Sequence, residues 1–151
     1  MTLVIDASVV VKWLFDDPEN ERYTALATEL MAGVVAGDIE VVQPPHWIIE
    51  VGAVLARQTP ERAQRDLALL DALGLPTRSS PSTLARACAL AIDLDHHLFD
   101  TLYHATALEY EGCLITADDR YHRKARALPG IIHLCNWNAG HGKIESHRDR
   151  S

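Results

Sequence analysis

At 151 residues and 48% hydrophobic composition, the chain suits one globular domain with a core of ordinary size and is too short for two. Its formal net charge of −7 argues against holding nucleic acid by bulk electrostatic attraction, which draws on clustered Lys and Arg, though not against local contacts. No run approaches the roughly 20 apolar residues of a membrane span, and the start, Met-Thr-Leu-Val-Ile-Asp, lacks a signal peptide's basic region, so the sequence predicts a cytoplasmic protein with no membrane partner.

Residues 3–5 read as a buried strand that stops at Asp6 and passes into a helix through VVVKWLF. Asp16 and Asp17 look like turn and cap residues, Asp17-Pro18-Glu19 opens a second helix, and Tyr23, Ala27, Leu30, Met31 and Val34 recur at helical spacing up to Gly37. IEVVQ reads as a strand broken by Pro44-Pro45, ahead of WIIEVGAVLARQ, whose length favours a largely buried helix. Thr59-Pro60-Glu61 repeats the cap-then-proline signal before a helix with Ala63, Leu67 and Leu70 on one stripe. Ser79-Ser80-Pro81 starts a helix to about Asp93, with Asp93 and Asp95 at its end and His96 and His97 in the loop beyond. HLFDTLYHATALEY supplies another before Gly112, CLIT is a strand, Asp118-Asp119 caps RYHRKARAL, and IIHL is the last strand candidate. Cys88, Cys113 and Cys135 are odd in number and sit among apolar residues, which reads as reduced core thiols. The polar end, with His141 and His147, reads as a mobile tail, giving one domain over 1–138 and a flexible tail over 139–151.

Strands alternating with helices imply an α/β domain with a central, mainly parallel sheet, because parallel neighbours need crossover connections that are usually helical. Ligands then collect at the carboxyl ends of the strands, where Asp6 and Asp118 both fall. Glu50 in HWIIEVGAVL and Asp100 in HLFDTLYHA are two more acids in apolar company. Carboxylates are rarely buried unpaired, and four converging ones can neutralise one another only through a cation, so the set suggests a divalent metal site.

Each acid has a plainer explanation to beat. Asp6 and Asp118 can each be helix N-caps. Glu50 can pair with Arg57, two turns on, or with His46, one turn back. Asp100 and His104, four residues apart, can be a hydrogen-bonded pair, or two ligands of a zinc site if more nitrogen or sulfur donors joined them. Asp119 could join the cluster, although Asp118, closing the strand, has the better claim. Arg120, Arg123, Lys124 and Arg126 form a local basic cluster that is either a solvated helix face or a surface for nucleic acid.

The segments LVIDASVVVKW, PPHWIIEVGAVL, HLFDTLYHATALE and CLITADDRYHRKA, in that order, resemble the PIN-domain family, and most closely the VapC toxins of bacterial toxin–antitoxin pairs. The resemblance covers nearly the whole chain before the tail. It implies a three-layer α/β/α domain and a magnesium-dependent endoribonuclease held inactive by a VapB-like antitoxin. By position it assigns catalytic roles to Asp6, Glu50, Asp100 and Asp118, makes Asp6 and Asp100 the direct magnesium ligands, and leaves Asp118 and Glu50 to hold metal-bound water or a second ion. Ser8 and Thr116 match polar positions that orient a carboxylate or water. Two departures stand out: Phe-Asp-Thr-Leu-Tyr where the family more often has Tyr-Asp-Ala-Leu-Tyr, and His104 at a usually apolar position, which would alter metal preference or substrate placement.

Oxygen ligands suit Mg²⁺, and Mn²⁺ would serve them too. RNA is the implied substrate, with Arg120, Arg123 or Lys124 steadying its backbone. The stripes on 61–73 and on Tyr23–Val34 offer apolar grooves for an antitoxin segment or a homodimer, beside their ordinary use in the core. A haloacid-dehalogenase-type phosphatase would want a second Asp where Ser8 stands, and a receiver domain would want a Lys closing a late strand. A non-catalytic PIN-like interaction module is the remaining alternative.

Overall fold

The computed structural model describes residues 1–15, 19 and 21–140; the cap expected at Asp16 and Asp17 and the tail histidines His141 and His147 lie outside the described residues. Three short apolar runs, β1 (Leu3–Ile5), β2 (Cys113–Thr116) and β3 (Ile131–His133), form a parallel sheet in the order β1-β2-β3. Leu3 lies opposite Cys113 and Ile5 opposite Ile115, while Leu114 faces Ile131 and Thr116 faces His133. The sheet is enclosed by α1 (Ala7–Leu14), α2 (Glu21–Val35), α3 (Trp47–Gln58), α4 (Ala63–Ala72), α5 (Pro81–Leu94), α6 (Leu98–Glu109) and α7 (Asp119–Ala125). All of β1 and β2 is buried, as a parallel sheet with both faces covered requires, and the result is the expected three-layer α/β/α architecture. No helix among the described residues is long and apolar enough to cross a membrane.

Helix α6 packs on β1 and β2 with α5 outside it, and its whole run from Thr101 to Ala107 is buried. Helix α1 bridges β2, α2 and α3. The stripe expected on α2 faces inward: Ala27, Leu30, Met31 and Val34 are all core residues, with Tyr23 packed at their edge. Helix α5 begins at the expected signal, Ser80 accepting a hydrogen bond from the Thr83 amide and Pro81 filling the first turn.

Four expectations need correcting. IEVVQ is not a continuous strand: Val41 bridges Leu3 and Gln43 bridges Thr77, because the chain veers from β1 to pair with the 76–78 segment. Helix α3 buries only Trp47, Val51 and Leu55 and leaves Ile49 72% exposed, so it is a one-sided surface helix. Thr59 closes α3, its amide and hydroxyl both donating to the Leu55 carbonyl, and α4 starts later, at Ala63. Cys88 is exposed on α5 rather than in the core; Cys113 is buried, and burial pushes its thiol up to about 11.

Candidate active site

Asp6 follows β1 directly and takes the N-cap position of α1, yet its side chain does not cap. Its Oδ2 instead accepts hydrogen bonds from the hydroxyls of Ser8 and Thr116, each at 2.8 Å. Those hydroxyls in turn accept from the backbone amides of Ala117 and Asp118, at 3.0 Å each, so two short relays tie the end of β1 to the loop after β2. Burial raises the Asp6 carboxyl to about 6 against these hydrogen bonds, and the charges of Asp100 and Asp118 push the same way.

Behind Asp6, the Gln43 side chain replaces a missing strand. Leu3 pairs with the backbone at Glu40 and Val42, but by Gln43 the chain has turned away. The buried Gln43 carboxamide therefore accepts from the Ile5 amide and donates to the Ile5 carbonyl, both at 2.8 Å. It satisfies the two backbone groups immediately ahead of Asp6, which burial would otherwise make costly to leave unpaired.

Glu50, in the first turn of α3, accepts a 2.7 Å hydrogen bond from the Tyr103 hydroxyl of α6. Half-burial still pushes its carboxyl up to about 7, with Asp6 and Asp100 adding to the rise. The ion-pair explanation of Glu50 has little support. Arg57 makes no ion pair with it, and the His46 Nε2, 3.9 Å away, donates to the Phe99 carbonyl at 2.7 Å. Asp118 does cap α7, one carboxylate oxygen accepting from the Tyr121 amide at 3.0 Å.

Asp100 lies in the first turn of α6 and pairs with His96, whose Nε2 is 2.6 Å from Oδ2. An ionised carboxylate only accepts, so Nε2 carries the proton in that bond. His96 precedes the helix, as expected of a loop residue, but its side chain is only 3% exposed and points back at the acid four residues on. Ligand atoms of His96, Asp100 and Asp118 all lie within 4.8 Å of one another.

The four acids line one cavity of about 470 Å³, together with Ser8, Lys12 and a wall of Val11, Ala53, Val54 and Gln58. The donor set fits a divalent cation: oxygen ligands predominate, and the neighbouring acids' charges, which add to the rise that burial causes in Asp6 and Glu50, are what a cation would offset. A family model described as PIN domain matches residues 3–127. The chain belongs to the PIN-domain family.

No curated protein matches it in sequence. Solved structures share the PIN fold at low identity. PAE2754 from Pyrobaculum aerophilum is 17% identical, with a TM-score of 0.63 over 89% of this chain and 90% of that one. A toxin–antitoxin complex from Klebsiella pneumoniae gives 16%, 0.65, 87% and 97%, in the same order. VapBC2 from Rickettsia felis, bound to a DNA fragment from their promoter, gives 14%, 0.62, 88% and 97%.

Within this PIN domain, other residues singled out from the sequence lie elsewhere. Asp119 is not among the residues lining the cavity, and its carboxylate lies 2.8 Å from the His133 Nε2. His104 is fully buried: the Pro129 carbonyl, which can only accept, takes the Nε2 proton at 2.8 Å, leaving Nδ1 to accept from the Tyr121 hydroxyl at 2.8 Å. It is a bracket between α6, α7 and the 129–130 turn, not a ligand or a substrate contact. Arg120 and Arg123 are exposed on α7, and Lys124 donates to the Asp95 carbonyl at 2.5 Å; none of the three lines the cavity.

Proposed function

We propose that the chain is a divalent-metal-dependent endoribonuclease, the VapC-type toxin of a toxin–antitoxin pair. The observation that carries this is the convergence of Asp6, Glu50, Asp100 and Asp118, from four separate segments, on one cavity at the carboxyl ends of β1 and β2. Two of the structures that share its fold come from a toxin–antitoxin complex and from VapBC2.

Asp6, Asp100 and Asp118 would hold the ion, Mg²⁺ or Mn²⁺, with His96 fixing the rotamer of Asp100 by its hydrogen bond. When bound, such an ion lowers the pKa of water and neutralises charge developing on a phosphate. Ser8 and Thr116 lock the Asp6 carboxylate in place. Glu50, whose carboxyl burial pushes up to about 7, is placed to take a proton from an attacking water at Oε1, the oxygen that Tyr103 does not occupy. An apolar cleft of about 520 Å³ between α3 and α4, walled by Ile48, Ile49, Gly52, Leu67 and Ala68, offers an antitoxin segment its seat or a second copy of the chain a homodimer contact.

The deciding experiment is RNA cleavage by the purified chain with Mg²⁺ or Mn²⁺, with EDTA, and with Asp100→Ala. Cleavage that vanishes with EDTA and with Asp100→Ala is expected. Cleavage that persists at the same rate in Asp100→Ala removes that acid from the reaction, and no metal-dependent cleavage of any RNA refutes the reading. Anomalous density between Asp6 and Asp100 in a crystal soaked with Mn²⁺ is the matching structural result.

A further inference from the structure

Lys12 stands on α1 one turn beyond Ser8 and lines the same cavity as the four acids. Among the described residues it is the sole cation in that lining. A lysine beside four carboxylates would ordinarily be drawn into an ion pair with one of them. Among the described residues, no ion pair joins Lys12 to any acid. The acids have other donors: Ser8 and Thr116 hold Asp6, Tyr103 holds Glu50, His96 holds Asp100 and the Tyr121 amide holds Asp118. Val11, Ala53 and Val54 give the same cavity an apolar wall, which lowers the local dielectric and strengthens an encounter between Lys12 and an anion entering from solvent. The arginines of α7 are outside the cavity, so they do not compete for that position.

We propose that Lys12 grips a backbone phosphate of the RNA next to the one that is cleaved, and so sets the register of the strand over the acids. This rests on the ribonuclease reading. A site of four carboxylates repels a polyanion until it holds a cation, and even then a flanking phosphate meets net negative charge. An ammonium in the cavity lining offsets that repulsion where the strand passes over it. Phosphate contacts position without reading sequence, so the residue sets placement and affinity, not base preference. Lys12 is thus a substrate-positioning residue, distinct from the acids that do the chemistry.

The test compares wild type, Lys12→Gln and Lys12→Arg on a ribo-oligonucleotide spanning a mapped cleavage site, in Mg²⁺. Lys12→Gln is expected to raise KM about tenfold, the size of losing one charge-assisted phosphate contact, with the loss falling on KM rather than kcat. Lys12→Arg should restore most of it. The slope of log binding constant against log salt, from fluorescence anisotropy, should fall by about 0.7 for one lost contact to a single strand. A neutral methylphosphonate placed beside the cleaved bond should weaken wild type to the level of Lys12→Gln and leave Lys12→Gln itself unchanged. Mn²⁺ affinity measured without RNA must not weaken. An unchanged KM and salt slope in Lys12→Gln, with cleavage intact, overturns this assignment while leaving the ribonuclease reading standing; Mn²⁺ affinity that falls with RNA affinity overturns it by making Lys12 a support for the acids. Absence of cleavage by wild type refutes the underlying reading instead.

Discussion

Replacing Asp6 by Asn should stabilise the metal-free protein while removing its capacity for metal. A carboxyl lifted from 3.8 to about 6 by burial costs about 3 kcal/mol more to ionise in the folded than in the unfolded chain. Asn keeps an oxygen for the Ser8 and Thr116 hydroxyls and carries no charge. After an allowance of about 1 kcal/mol for its own amide donors, the net gain at pH 8 is about 2 kcal/mol, or roughly 4–8 °C in Tm for a domain of this size. The sign with pH follows from the raised value. The folded state keeps the Asp6 proton up to about pH 6, whereas the unfolded chain releases it near 3.8, so wild type loses stability as pH rises through that window. Asp6→Asn lacks that loss, and the gap between the two proteins should open across the window and stay flat above it. Urea denaturation in EDTA at a series of pH values measures the gap; a repeat with saturating Mn²⁺ should stabilise wild type and leave the variant unmoved. A variant less stable than wild type at pH 8, or a gap that does not change between pH 4 and 8, would refute the idea that this acid is held at an energetic cost which a cation relieves.

Two further substitutions probe the supports. Gln43→Leu should strip the Ile5 amide and carbonyl of their partners and cost about 2–4 kcal/mol in chemical denaturation, with Mn²⁺ affinity falling because β1 no longer presents Asp6 squarely; unchanged stability would mean that water replaces the carboxamide. His104→Leu should cost about 2 kcal/mol by orphaning the Tyr121 hydroxyl and the Pro129 carbonyl, and should leave the ranking of Mg²⁺ against Mn²⁺ untouched, whereas a changed ranking would restore His104 to the site.

Local periodicity made much of this molecule readable from sequence. The α2 stripe, the Ser80-Pro81 start of α5 and the apolar runs of β1 and β2 are statements about neighbours along the chain, and neighbours along the chain are what a periodic pattern records. The four acids were visible for a related reason, each being out of place in its own segment. What a periodic pattern does not record depends on partners distant in sequence. Gln43 reads as one more residue of a strand until β1 is laid beside it, and His104 looks like a neighbour of Asp100 until Pro129 and Tyr121 arrive on its other side. His96 and Lys12 did carry a local signal, since each stands four residues from a member of the site. A residue just ahead of a helix reads as loop because its backbone is loop, although its side chain still reaches the first turn. Thr59-Pro60 does not mark the start of α4, because Thr-Pro closes a helix as readily as it opens one.

The pairing of Leu3 with Cys113 and Ile5 with Ile115 has a consequence for how the molecule comes into being. During synthesis from the amino terminus, β1 must wait, without its central neighbour, until residues 113–116 have been made. Contacts of such long span are slow to form, because loop closure precedes any reward from the contact. The same delay governs Asp6, whose Thr116 partner sits at the end of that late strand. A nascent chain therefore has no assembled acid cluster until residues 116–118 have been made, and whatever chemistry the cluster performs waits on that strand.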